Sequence, residues 1–82
     1  MKSISFTAPA QRAMEKLPTA TREQIEAKLV RYATLGTGDV KSMGGDRRGL
    51  LRLRVGDYRV MFVEEPARIN VHRIGHRREV YR

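Results

Sequence analysis

Apolar residues open the chain at alternate positions. In KSISF, residues 2–6, Ile4 and Phe6 share one side of an extended backbone, which predicts a short strand. The period then changes. Ala10, Ala13, Met14 and Leu17 follow at i, i+3, i+4 and i+7, one face of a helix. Thr7 offers an N-cap, Pro9 fits the first turn and Pro18 ends the helix. A second helix opens at Thr19 or Thr21, where Thr21 and Gln24 have capping-box spacing. Its buried stripe is Ile25, Leu29, Tyr32 and Ala33, and Gly36 and Gly38 stop it near Leu35. So short a connection predicts an antiparallel helical hairpin.

KSMGGDRRG, residues 41–49, is glycine-rich and basic but lacks phosphate-loop spacing, so it reads as a flexible connector. Beyond it the period is two. GLLRLRV and YRVMFVE flank Gly56-Asp57, a pair suited to a two-residue hairpin turn. EEPA, residues 64–67, makes the next turn and RINVHRIG the next strand. The order β-α-α-β-β-β predicts a single α+β domain over residues 1–82. It has an N-terminal strand, a two-helix antiparallel hairpin and an antiparallel sheet of three strands, with the helices on one face.

A turn at Gly56-Asp57 makes Val55 and Tyr58 partners. Leu51, Leu53, Val55, Tyr58, Val60 and Phe62 then share an apolar face that belongs against the helices. The opposite face carries Leu50, Arg52, Arg54, Arg59 and Met61. If EEPA closes a four-residue turn, Val63 opposes Arg68, Met61 opposes Asn70 and Arg59 opposes His72. Gly75 is the expected site of a bulge, which would turn Arg77 toward the same surface. Like charges directly across a sheet repel. Gathering three arginines there is unfavourable unless an anion sits among them, or Asp46, Asp57, Glu64 or Glu65 neutralises them locally.

Composition sharpens that picture. The 82 residues carry 17 Lys and Arg against nine Asp and Glu, a net +8. The excess is uneven: residues 1–40 hold six basic and four acidic side chains, residues 41–82 eleven and five. Ten of those eleven are arginine, whose rigid fork suits bidentate phosphate contact. A charge of this size on so small a chain points to nucleic acid, an acidic protein, or both. There are no cysteines and no apolar run long enough to span a bilayer, and the N-terminus lacks a signal peptide's apolar core, so a cytoplasmic protein away from membranes is expected. Two histidines and scattered carboxylates have no metal-ligand spacing, and no nucleotide fingerprint is present, so neither metal nor cofactor is expected.

LRLRVGDYRVMF followed by INVHRIGHRREVYR resembles the C-terminal half of the RelE/ParE toxin superfamily of bacterial type II toxin–antitoxin modules. The element order extends the resemblance over essentially the whole chain, although residues 1–40 match only in pattern. Similarity to RelE implies a ribosome-dependent endoribonuclease, or mRNA interferase, that cleaves mRNA in the A site and is neutralised by a cognate antitoxin. Similarity to ParE-type members implies instead a poison of DNA gyrase with no chemistry of its own. Carried over by position, the family's catalytic arginine falls on Arg59, the arginine after the last strand on Arg77, the terminal tyrosine on Tyr81, and a basic residue of the preceding strand on Arg52. This chain departs from RelE in having Leu50 and Arg52 where RelE has lysines.

Metal-free RNA cleavage turns the 2′-hydroxyl on its own phosphate. It needs in-line geometry, a base, cations for the developing charge and an acid for the departing 5′-oxygen. Arg52, Arg59 and Arg77 can supply the electrostatic part, with Arg59 and Arg77 as the expected catalytic cations and Lys41, Arg52, Arg54, His72 and His76 expected to bind RNA phosphate. A guanidinium stays protonated and is no base. Proton transfer therefore falls to Tyr81, His72, His76 or Lys41, and the resemblance favours Tyr81. A plain RNA-binding platform fits less well: of Tyr58, Phe62 and Tyr81, the first two point inward, too few for base stacking.

Overall fold

Thr7 marks the point where the chain leaves its first strand. Its hydroxyl accepts the Ala10 N–H at 3.4 Å, capping the first helix, and donates to the His72 carbonyl at 3.1 Å. A computed structural model describes residues 1–43 and 49–78. Along them run β1 (Ser3–Phe6), α1 (Ala8–Lys16), α2 (Thr19–Leu35), β2 (Val40–Ser42), β3 (Leu50–Val55), β4 (Tyr58–Glu64) and β5 (Arg68–His76). Helix α2 begins at Thr19 with Pro18 at its N-cap and no side-chain cap, so Thr21 and Gln24 lie inside the helix and form no capping box. It ends as expected: Gly36 takes φ +72°, a left-handed conformation open to glycine, and donates its N–H to Tyr32 O at 2.9 Å.

The strands form one sheet in the order β1-β5-β4-β3-β2, with both helices on one face. The α+β class stands, with two differences of detail. β1 lies parallel to β5, pairing Ile4 with Ile69 and Phe6 with Val71, so the sheet is mixed at that edge. The presumed connector also begins with a strand, β2, which pairs Lys41 with Arg52. Three residues, two of them exposed, are too few to display a period, and β2 is held by backbone bonding to β3.

The inner face is the expected one. Leu53, Val60 and Phe62 are fully buried, joined by Ile69 and Val71 from β5 and by Ile25 and Leu29 from α2. Tyr32 meets Phe62 edge-on, with ring centroids 5.4 Å apart. Burying each large aliphatic or aromatic side chain stabilises by roughly 1.5–3 kcal/mol, and this layer fixes which side of the sheet is left open.

The β4–β5 pairing differs from expectation in two ways. Glu65 N–H donates to Arg68 O at 2.7 Å, so the turn is the two residues Pro66-Ala67 and the hairpin is tighter. Val63 therefore opposes Asn70, not Arg68. The bulge is also elsewhere. Phe62 pairs with Val71 but Met61 with Arg73, which leaves His72 as the extra residue. Arg59 consequently opposes Gly75, not His72.

Candidate nucleic-acid interface

Because paired residues share a face, the register orders the open side of the sheet into rows. The row nearest the Gly56-Asp57 hairpin is Arg54, Arg59 and Gly75; the next is Lys41, Arg52, Met61 and Arg73. A third contains no cation: Leu50, Val63, Asn70 and Ser5.

Arg59 is the buried member of the set, only 9% exposed. Its Nη1 donates to Gly56 O and Tyr58 O, each at 3.2 Å, which draws the guanidinium toward the hairpin. Its Nε is buried and has no hydrogen-bond partner among the described residues. A charged donor left unsatisfied in a buried position is costly. The two backbone carbonyls fix where this charge sits at the hairpin end of the open face. Gly56 makes the anchor possible: its φ of +58° strains any residue with a Cβ.

Arg77 comes to the same end of the sheet. Its N–H donates to Asp57 O at 2.7 Å, extending the register past the end of β5. Alternation through Arg73 and Gly75 puts position 77 on the open side. The bulge lies at His72, but its consequence for Arg77 is the one expected of a bulge at Gly75. Arg54, directly opposite Arg59, is exposed, as is Lys41, while Arg52 is half-buried.

The two histidines separate from this group. His72 is exposed at the bulge, on the β1 flank, where its Nε2 lies 3.4 Å from Asn70 Nδ2; Ser5 Oγ in turn donates to Asn70 Oδ1 at 3.1 Å. His76 pairs with Tyr58 on the helix side of the sheet, its ring edge-on at 5.7 Å, and its Nδ1 accepts the Arg78 N–H at 3.3 Å. The bulge carries His76 off the arginine face. Tyr81 lies outside the described residues, as does Asp46.

Two carboxylates that were candidates to neutralise the arginines are engaged elsewhere. Glu64 accepts from Lys2 Nζ and from the Tyr32 hydroxyl, both at 2.8 Å. These bonds hold its carboxyl below the usual carboxylate range, against the opposing effect of burial. Tyr32 is raised above the ordinary phenol value, first by burial and then by that bond to Glu64. Glu65 is paired with Arg68 at 2.6 Å, whose hydrogen bond lowers its titration. Among the described residues no three His, Asp or Glu side chains gather as metal ligands, and no helix is long and apolar enough to cross a membrane.

Arg73 is the cation of the open face that strict alternation conceals. A signal for it exists in the sequence: Ile69 and Val71 are two apart, but the next buried residue is Ile74, three further on. That broken period is what one extra residue in a strand produces.

Among curated proteins no sequence matches the chain. Solved structures share its fold. The RelB–RelE antitoxin–toxin complex from Methanococcus jannaschii matches with a TM-score of 0.77 at 22% identity, over 94% of each chain. The isolated E. coli RelE toxin matches with a TM-score of 0.77 at 23% identity, over 99% of this chain and 92% of that one. An E. coli YafQ mutant, H87Q, matches over the full length of both chains at 9% identity and a TM-score of 0.74. Residues 4–81 match the family of ParE toxins of type II toxin–antitoxin systems, parDE, so the chain belongs to that family, within the RelE/ParE toxin superfamily.

Proposed function

We propose that this toxin is a ribosome-dependent mRNA endoribonuclease, cutting mRNA in the A site and neutralised by a cognate antitoxin. The observation that carries the reading is Arg59, a buried arginine anchored by the Gly56 and Tyr58 carbonyls, with Arg54 directly opposite on the one sheet face the helices leave open. In the reaction the 2′-oxygen attacks the adjacent phosphorus and the 5′-oxygen departs, leaving a cyclic phosphate. Charge grows on the non-bridging oxygens as the phosphorus becomes five-coordinate. Arg59 and Arg77 supply fixed positive charge there, which stabilises the transition state more than the ground state. Tyr81 is proposed for proton transfer on the strength of the family resemblance.

The antitoxin is proposed from the company the fold keeps: RelE from Methanococcus jannaschii and RelE from Pyrococcus horikoshii both occur in complexes with RelB. A toxin of net +8 suits an acidic, partly disordered partner that folds on binding. The place of action on this reading is the cytoplasm, where ribosomes meet mRNA. A second reading, inhibition of DNA gyrase, is favoured by the ParE character of the family match. Primer extension on mRNA from induced cells separates the two. Cleavages in phase with codons support the ribonuclease. Intact mRNA accompanied by broken or unsupercoiled chromosomes supports the gyrase poison and rejects the ribonuclease.

A further inference from the structure

Helix α2 is apolar on two sides. Ile25, Leu29 and Ala33 face the core. On the outer side Glu23, Ala27, Val30 and Thr34 are all exposed and recur at i, i+4, i+7 and i+11, the seam along which two helices pack side by side. Val30 and Leu35, 44% and 66% exposed, are two of the three large apolar side chains standing in solvent among the described residues. A second hollow opens between α2 and β1, lined by Ile4, Phe6 and Leu29. Glu26 and Val30 line both hollows, so the two form one groove.

That groove follows β1, the outermost strand of the sheet. Ser3 and Thr7 donate their N–H groups to Ala67 O and Val71 O of the β5 side. Alternation therefore turns the backbone N–H and C=O of Ile4 and Phe6 to the free edge. Such an edge is a template for another strand.

Charge distinguishes the possible occupants. Glu23 and Glu26 outnumber Arg31 along the groove, although the chain as a whole is net +8. An acidic chain or a nucleic acid suits the arginine face and is repelled here; a face carrying both signs complements itself. Two β1 strands paired antiparallel about Ser5 set Ile4 against Phe6 of the second copy and satisfy the outward groups of both. An antiparallel pair of α2 helices sets Ala27 against Val30 and Glu26 against Arg31. The groove already places residues 26–30 beside Ile4 and Phe6, so one two-fold axis serves strand and helix together.

We propose that a second copy of this chain covers the groove, through a β1–β1 and α2–α2 contact about that axis. It is independent of the ribonuclease reading. The two sheets continue as one, and both arginine faces stay open on the same side of it.

Sedimentation equilibrium on the purified full chain, up to about 100 µM, tests it at low and at physiological salt. The wild type should reach twice the chain mass, and more readily at physiological salt, where repulsion between two +8 chains is screened. Val30→Asp should stay monomeric with an unchanged melting curve. Glu26→Arg and Arg31→Glu should each weaken the dimer about tenfold, by turning exposed ion pairs into like-charge contacts. Mixing those two single variants should restore it, because each then supplies the charge the other lacks. A monomeric wild type overturns the proposal, as does a dimer that Val30→Asp leaves intact or that weakens as salt rises. A mixture no tighter than the single variants rejects the pairing of Glu26 with Arg31 and the axis with it. If the wild type is monomeric and Val30→Asp loses antitoxin binding, the groove belongs to the antitoxin and the inference is wrong.

Discussion

Replacing Arg59 by leucine separates chemistry from scaffold, because the structure sets opposing effects on stability that nearly cancel. The variant loses two Nη1 hydrogen bonds to Gly56 O and Tyr58 O, both at 3.2 Å. Bonds of this kind contribute roughly 0.5–1.5 kcal/mol each, and Gly56 is exposed, so water replaces part of the loss. Against this, the buried Nε no longer goes unsatisfied, which relieves about 1–3 kcal/mol. Repulsion from Arg54, directly opposite, also disappears, and like charges across a ladder are worth roughly 0.2–1 kcal/mol. The balance lies near zero, tilted toward stabilisation by about 1 kcal/mol. For a domain of this size that is an increase in Tm of roughly 4–8 °C.

Activity should move in the other direction. Loss of a preorganised transition-state contact costs roughly a hundredfold or more in rate. Thermal melts of the purified variant, paired with cleavage on programmed ribosomes, read both quantities. Salt adds a control: screening should raise the wild-type Tm and affect Arg59→Leu less, since the Arg54–Arg59 repulsion is then absent. A variant that melts more than about 10 °C below wild type makes Arg59 a structural strut. One that keeps its stability and its full cleavage rate removes it from the chemistry.

Gly56→Ala should cost about 1 kcal/mol in melts, because an alanine resists the φ of +58°, and should also reduce cleavage by shifting the carbonyl that anchors Arg59. Phe62→Ala removes a fully buried ring and should cost about 3–5 kcal/mol, read as a large drop in urea midpoint. Glu64 gives a pH signature. Its folded-state titration is depressed below 4.5, so the stability from its bonds to Lys2 and Tyr32 is full above pH 4.5 and is lost as pH falls through the depressed value. Glu64→Gln should flatten that acid limb of the denaturation curve. Tyr32 is raised above 10.0, so its contribution is complete below pH 10 and disappears as pH rises through the raised value; Tyr32→Phe should flatten the alkaline limb.

What could be read in the sequence was whatever repeats with a period. The α2 stripe of Ile25, Leu29 and Ala33, the inner face from Leu51 to Phe62 and the Val55–Tyr58 pairing all follow from side-chain geometry alone, and all are present. Features set by one residue were harder to see. Pro66-Ala67 closes a tighter turn than EEPA suggested because Glu65 and Arg68 pair through backbone and side chain alike. β2 was invisible because three residues carry no pattern, and only the edge of β3 gives them a strand. The parallel pairing of β1 with β5 is a long-range choice that no local period encodes.

The bulge shows why the site was harder to read than the fold. A single extra residue at His72 reverses the face of everything after it, yet leaves the core intact because Ile74 arrives where an inner residue is required. Had β5 alternated strictly from Ile69, positions 73, 75 and 77 would face the helices. Arg73 and Arg77 would then be charges on the apolar side, and Ile74 an apolar residue on the open side. Burial excludes that arrangement, because unpaired guanidinium groups against a core are far more costly than the few ladder bonds a bulge disrupts. The arginines at 73 and 77 and the isoleucine at 74 thus specify the bulge together. The same spacing that keeps the core apolar gathers positive charge on the face where this toxin would meet RNA.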